Sequence, residues 1–418
     1  MTELASPQRE SLEPPCPRSP GVSVQQYLDN DARPVPPVLR YDINDDLGTA
    51  PLDAERYYTR EFHDAEVEKV WRKVWQFVCR EDHIPNPGDH ITYDIADDKW
   101  IIMRQRDGSI KALSNVCLHR GRALRTEGGK VNELRCPFHG FSWDIDGSSK
   151  FIPCKWDFPQ IEQEQFGLPE AQVASWNGFV FINPDPNAQS LESFFGTMLN
   201  DWERWDYTDR IIYSHFGGIV DCNWKVAGEA FIEGFHSLAT HPQMMEWLGD
   251  ENTQYDVIAE ENWNRQIVPQ GVPSPTIANH MTEQDVLDAY YETRAFYTQG
   301  KGRDLAVGEE GLPQVPEGST ARRELAAQMR AALGEMSGVD QDHWTDCELL
   351  DGMQYFVFPN FYVFAGPRTN AVYRFRPLGN DPDKCIAEVF LLAQPPAAGR
   401  GPRWSRRCRG CGGRPGGR

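Results

Sequence analysis

The 418 residues carry 42 Lys+Arg against 62 Asp+Glu, a formal net charge of −20, with 40% hydrophobic residues and 10 Cys. Such acidity excludes a general nucleic-acid binder, which needs a basic surface to neutralise phosphates, and so sparse a cysteine content excludes a small disulfide scaffold. Without an apolar run of about 18 residues there is no candidate membrane span, and the composition predicts a cytoplasmic, globular protein with room for two or three domains.

Residues 1–45 are rich in proline and predict a disordered lead-in, with no apolar stretch of a signal peptide over Met1–Pro20. A helix is predicted over 61–78, where Val67, Val70, Trp71, Val74, Trp75 and Val78 repeat with the spacing of one buried face. It belongs to a helical segment, 46–80, expected to pack on the C-terminal domain. From 81 to 185 the texture is short strands broken by glycine turns. Asp107-Gly108 lies between Ile101-Ile102-Met103 and the apolar positions Ile110, Ala112 and Leu113, a strong hairpin signal. Gly128-Gly129, Asp146-Gly147 and Asn177-Gly178 mark further turns, the last leading into Phe179-Val180-Phe181-Ile182. This block predicts a small all-β domain, closed by Pro184-Asp185-Pro186. Helices are then expected near 191–206, 223–240, 284–299 and 319–334, and antiparallel strands at 354–365, 370–377 and 385–393, so 186–394 predicts an α+β domain. Residues 395–418 hold seven Gly, seven Arg and four Pro, with no Asp or Glu and no aliphatic core residue beyond Ala. That segment predicts a disordered tail and has the composition of an out-of-frame translation of a GC-rich gene.

Two loops inside the β block carry metal-binding chemistry. Cys117-Leu118-His119-Arg120-Gly121 is followed by Cys136-Pro137-Phe138-His139-Gly140. Each offers one thiolate and one imidazole, and the four side chains suit either a [2Fe–2S] cluster with two Cys on one iron and two His on the other, or a Cys₂His₂ zinc. Zinc fingers usually pair Cys with Cys and His with His, whereas two mixed loops suit a cluster that both must reach over. A zinc-stabilised binding module would be colourless and free of acid-labile sulfide.

With these loops the sequence resembles the large (alpha) subunit of Rieske non-haem iron ring-hydroxylating oxygenases, from about Arg56 to Leu392. Trp75, Ile84-Pro85-Asn86-Pro87-Gly88-Asp89 and Asn115-Val116 ahead of the first loop share in the likeness. The resemblance implies a small all-β Rieske [2Fe–2S] domain, with Cys117, His119, Cys136 and His139 as cluster ligands. It also implies a helix-grip (START-like) α+β catalytic domain built on an antiparallel sheet.

Asp221-Cys222-Asn223-Trp224-Lys225 opens the stretch that runs to Thr240, with Asn223 a plausible N-cap. Trp224, Ala227, Phe231, Phe235 and Leu238 predict its buried stripe, while Glu229, Glu233 and His236 fall in line at i, i+4, i+7. His241 lies about 140° from His236 on a straight helix. Pro242 removes that obstacle by pushing His241 out of the α region, so both rings can turn to one metal. Two His completed by one carboxylate form the facial triad of Fe(II) oxygenases. The resemblance makes His236 and His241 iron ligands and Glu233 the carboxylate linking His236 to the cluster ligand His139 of a neighbouring subunit, hence a head-to-tail homotrimer. Glu229 reads as a solvated carboxylate. Ala230 and Phe235 stand where the family often has Asn and Tyr. The family's third iron ligand is an Asp beyond the last sheet strand; none of Asp351, Asp381, Asp383 and Glu388 stands in that place, so the catalytic domain is expected to be truncated. The remaining cysteines, Cys222 and Cys385 among them, read as free thiols, and the CxxC of Cys408 and Cys411 as part of the tail.

The resemblance further implies a terminal oxygenase using O₂ and electrons from NAD(P)H, through a ferredoxin and/or reductase, to mono- or cis-dihydroxylate an aromatic or other hydrophobic substrate. A small beta subunit can accompany it, and no nucleic acid or membrane is involved. The rival expectation is an electron-transfer-only Rieske protein whose iron site is disabled.

Overall fold

The structure, a computed structural model, describes residues 21–43, 45, 47–297, 312–367 and 371–394. Its first half is built from β1 (Gln76–Arg80), β2 (Asp89–Ile95), β3 (Asp98–Arg104), β4 (Ile110–Ser114), β5 (Gly129–Lys130), β6 (Glu133–Arg135), β7 (Ser142–Asp144), β8 (Ser149–Phe151), β9 (Glu170–Trp176) and β10 (Phe179–Asn183). Seven of them form one antiparallel sheet in the order β1-β10-β9-β4-β3-β2-β5, and β6-β7-β8 form a small second one. Asn177 (φ 52°) and Gly178 (φ 77°) make the two-residue, positive-φ turn whose twist matches a hairpin, and they join β9 to β10. A side chain at 178 would also run into the Arg80 guanidinium.

The second half is a seven-stranded antiparallel sheet of β11 (Ile211–Val220), β12 (Gln254–Val257), β13 (Trp263–Val268), β14 (Gly352–Val357), β15 (Phe361–Phe364), β16 (Ala371–Leu378) and β17 (Asp381–Ala393), ordered β11-β17-β16-β15-β14-β13-β12. Its helices, with those that precede the first sheet, are α1 (Val24–Asp29), α2 (Glu55–Tyr58), α3 (Arg60–Glu66), α4 (Leu191–Phe195), α5 (Met198–Trp202), α6 (Trp224–Glu229), α7 (Ser237–Thr240), α8 (Glu283–Tyr297), α9 (Ala321–Ser337) and α10 (Asp346–Leu350). Leu287, Leu325, Leu349 and Trp247 bind α8, α9 and α10 into one apolar cluster. Where the two large sheets meet, Phe77, Phe179 and Phe181 pack on Phe361, with centroids 5.0–5.1 Å apart, and Phe77 also meets Phe390 at 5.3 Å. Each such pair adds about 0.5–1.5 kcal/mol beyond the area it buries. Among the described residues no helix is long and apolar enough to cross a membrane.

Several expectations are corrected. The lead-in drawn over 1–45 is packed from residue 21 onward: Val24, Leu28, Val38 and Leu39 are buried in the main core. The Ser23–Gln26 capping box starts α1, and Gln25 donates to the Leu39 carbonyl (3.0 Å). Residues 1–20 lie outside the described residues. The helix expected over 61–78 ends at Trp71, after a π-helical turn from Val67. Gln76–Arg80 is instead a fully buried strand, because β10 offers it a hydrogen-bonding edge. A short apolar run does not distinguish these outcomes by periodicity alone. The helix expected over 191–206 is two short ones parted at Gly196 (φ 56°). Strands β11, β12 and β13 were not anticipated.

Candidate metal centres

The two Cys-His loops have the same internal bonding. Cys117 N–H donates to the Arg122 carbonyl (2.8 Å) and Gly121 N–H returns to the Cys117 carbonyl (2.9 Å). Cys136 N–H donates to Phe141 (2.8 Å) and Gly140 N–H returns to Cys136 (3.1 Å). Gly121 and Gly140 both sit at positive φ, which closes each loop. The result turns both thiols inward, in contact with one another, into a core shared with Phe141 and Trp143. The two imidazoles lie with centroids 4.7 Å apart, His119 half-buried and stacked on Phe141 and His139 exposed. Desolvation, then the neighbouring His139 and Arg120, hold His119 below the ordinary imidazole range, which favours the neutral ring that binds metal. Its Nδ1 is buried without a hydrogen-bond partner. Two thiols beneath, two imidazoles above and one orphaned ring nitrogen fit a two-iron cluster with Cys₂ and His₂ ends. Among the described residues no group of three or more His, Cys, Asp or Glu side chains is placed to hold a single metal ion.

The second group lies beyond α6. Asn223 caps that helix, accepting from Lys225 N–H (3.0 Å), but the helix stops at Glu229 and not at Thr240. Glu229 therefore leaves the expected line with Glu233 and His236 and accepts from the Tyr57 hydroxyl (3.0 Å). The predicted buried stripe is also broken, since Phe231, Phe235 and Leu238 are 41%, 64% and 51% exposed. The cause is tertiary. The Phe231 carbonyl, free of the helix, accepts from both Gln266 and Gln354 side chains (2.7 Å each), and Gly234 N–H donates to the Tyr255 hydroxyl (2.8 Å). Composition and periodicity passed over these three sheet residues; Gly228 and Gly234 inside an expected helix were the available signal.

After this break α7 ends at His241, with φ −132° and ψ 49° ahead of Pro242, outside the α region. The His236 and His241 rings come to 5.4 Å between centroids. Glu233 Oε1 lies 2.6 Å from His236 Nδ1, and its Oε2 accepts from the His236 N–H (3.0 Å). A carboxylate on Nδ1 fixes the tautomer and leaves Nε2 for a metal. This fits two ligands of a mononuclear iron site, and no third joins them among the described residues. Asp351 is committed to Arg322 and Glu388 to Arg374 and Arg376. The segment after 394, Cys408 and Cys411 included, lies outside the described residues.

Residues 74–162 match the Rieske [2Fe-2S] domain family, and residues 198–410 match the ring hydroxylating alpha subunit (catalytic domain) family. Biphenyl 2,3-dioxygenase subunit alpha of Rhodococcus jostii (strain RHA1) is 29% identical over 201 residues, covering 47% of this chain and 44% of that protein. Benzene 1,2-dioxygenase subunit alpha of Pseudomonas putida is 28% identical over 195 residues, covering 45% and 43%. The matched stretch thus spans less than half the length of these relatives. In fold the chain is similar to naphthalene 1,2-dioxygenase from Rhodococcus sp., with a TM-score of 0.54, 22% identity and coverage of 81% and 72%. A quaternary ammonium Rieske monooxygenase gives a TM-score of 0.57, 18% identity and coverage of 81% and 75%.

Proposed function

This chain belongs to the ring-hydroxylating alpha-subunit family and carries a Rieske [2Fe-2S] domain ahead of the catalytic domain; from that premise we propose that it is the terminal oxygenase of a Rieske-type system. It uses O₂ and electrons from NAD(P)H, delivered by a ferredoxin and/or reductase, to mono- or cis-dihydroxylate an aromatic or other hydrophobic substrate. Cys117, His119, Cys136 and His139 would hold the cluster, and His236 and His241 the iron. Bound there, the cluster supplies one-electron transfer and the Fe(II) supplies reductive chemistry toward O₂.

What carries this reading is the bond between Glu233 and His236. Each Glu233 oxygen has accepted one hydrogen bond from His236, and a carboxylate has about four acceptor sites. Glu233 can therefore take a second imidazole N–H while still orienting the first. His139, exposed at the tip of its loop, is the donor it suits when it comes from a second copy, and the assembly is then a head-to-tail homotrimer, with or without a small beta subunit. Apolar collars support this docking: Leu118 and Phe138 are 37% and 59% exposed beside the cluster loops, and Phe235 and Leu238 flank His236. Pressed together they exclude water from the carboxylate and leave it as the polar path between the sites.

The test uses anaerobically purified holoprotein with a ferredoxin and reductase, ¹⁸O₂ and a panel of one- and two-ring aromatics. The expected result is ¹⁸O in a hydroxylated product from at least one of them. A cluster that is reduced and reoxidised in a protein without mononuclear iron, with no label in any product, would overturn the reading.

A further inference from the structure

Cys222 and Cys385, far apart in sequence, are brought together where α6 is tied to β17. The register pairs Val220 of β11 with Cys385 of β17, and three residues later, at Asn223, the chain turns into α6. That turn is held down by Asn223, whose side-chain N–H donates to the Pro382 carbonyl (2.8 Å). Between these two anchors Cys222 lies beside Cys385, packed against the apolar cluster that holds Cys385, Trp71 and Trp224. Both are free thiols. Cys385 is fully buried and Cys222 half-buried. Burial, then the adjacent Cys222, pushes the Cys385 thiol up to about 12, so it stays protonated, and half-buried Cys222 is the nearer of the two to solvent. Neither is used by the cluster or iron sites.

We propose that Cys222 and Cys385 form a hydroperoxide-reactive dithiol, a modification site that closes to a disulfide and pins the entry of α6 to β17. Hydrogen peroxide is the oxidant. Its O–O bond breaks as the Cys222 sulfur takes one oxygen, giving a sulfenic acid and one water. The Cys385 sulfur then attacks the Cys222 sulfur; the S–S bond forms, the S–O bond breaks, and the Cys385 proton leaves with the hydroxide as a second water. Two thiols and one peroxide give one disulfide and two waters. Closure ties the start of α6 to β17 through a covalent bond. The same helix leads into the segment that carries Glu233 and His236. The site stands on its own geometry and does not depend on the oxygenase reading.

The test treats the holoprotein with one equivalent of hydrogen peroxide per chain, blocks remaining thiols with N-ethylmaleimide and maps peptides without reduction. The expected product is a single linked pair containing Cys222 and Cys385, two hydrogens lighter than the separate peptides and reopened by dithiothreitol. The substitution Cys385→Ser should leave Cys222 as a sulfenic acid trapped by dimedone. A wild-type map in which Cys222 is alkylated as before treatment, is oxidised beyond the sulfenic acid without a linked peptide, or is linked to another cysteine overturns the proposal.

Discussion

At His236 a single carboxylate decides what the imidazole can do. With Glu233 on Nδ1 at 2.6 Å, the ring is held in one tautomer and one orientation, and Nε2 is the only nitrogen left for a metal. The same carboxylate belongs to the segment that exposes Phe231, Phe235 and Leu238, where an approaching apolar surface would strip it of water. Glu233→Gln keeps the shape and one acceptor oxygen while removing the charge. Iron and sulfide per chain should stay as in the parent protein, while oxygenation slows by about 10–100-fold, the usual cost of losing a partner of a metal-bound histidine. Unchanged turnover at unchanged metal content would remove Glu233 from the proposed electron path.

The element that presents Glu233 and His236 is the broken stretch between α6 and α7. Its form is imposed from the sheet: Gln266 on β13 and Gln354 on β14 face each other in the ladder, both are buried, and both donate to the one Phe231 carbonyl. Replacing one by Leu leaves the carbonyl with a partner and should cost about 1 kcal/mol. The double substitution Gln266→Leu with Gln354→Leu strands a part-buried carbonyl. Its cost should exceed the sum of the singles, by about 0.5–3 kcal/mol. Urea unfolding of the three variants measures this, and mononuclear iron should fall in the double variant while acid-labile sulfide does not. Purely additive costs with iron retained would show that the clamp does not shape the ligand segment. These same residues mark what was legible in advance. The two Cys-His loops, the Asn223 cap and the exit of His241 before Pro242 are local, each set by neighbours within a few positions. The break at 230–236 is not local. Phe231, Phe235 and Leu238 keep helical spacing, yet Gln266, Gln354 and Tyr255 pull the backbone out of the helix, and those apolar side chains are left facing outward. The expected truncation of the catalytic domain belongs to a segment outside the described residues.

On the scale of the whole molecule, the two large sheets are joined by a polar network behind the phenylalanine cluster. Arg374 donates to Glu388 (2.8 Å) and to the Phe77 and Val78 carbonyls of β1, Arg376 to the Asp94 carbonyl of β2 (2.6 Å), and Asn360 is bonded to both backbone groups of Phe77. His215 contacts Glu388 (3.3 Å), and its ring packs against both Phe390 (4.0 Å) and His83 (5.5 Å). His83 also accepts from Arg80 N–H and lies beside Asp82, whose carboxylate accepts from Ile212 N–H. Burial, then His215, lowers His83 to about 4, with Asp82 opposing. Arg374 and Arg376 hold Glu388 well below the carboxylate range against the cost of its burial. The signs differ in consequence. His83 in the unfolded chain binds its proton near the ordinary value of about 6.5, so between there and about 4 the unfolded state holds more protons and stability falls with falling pH. The slope from this one group is at most about 1.4 kcal/mol per pH unit, a total on the order of 3 kcal/mol across the window. Glu388 stays ionised throughout that window, and its contribution is lost only as the pH drops below the ordinary carboxylate value of about 4.3. Urea midpoints measured from pH 7 to pH 4.5 should therefore fall more steeply in the parent protein than in His83→Gln, while His343→Gln, at an exposed site, keeps the parent slope. Equal slopes in all three proteins would mean that His83 is not held neutral at the joint, and that the two sheets are not coupled through it.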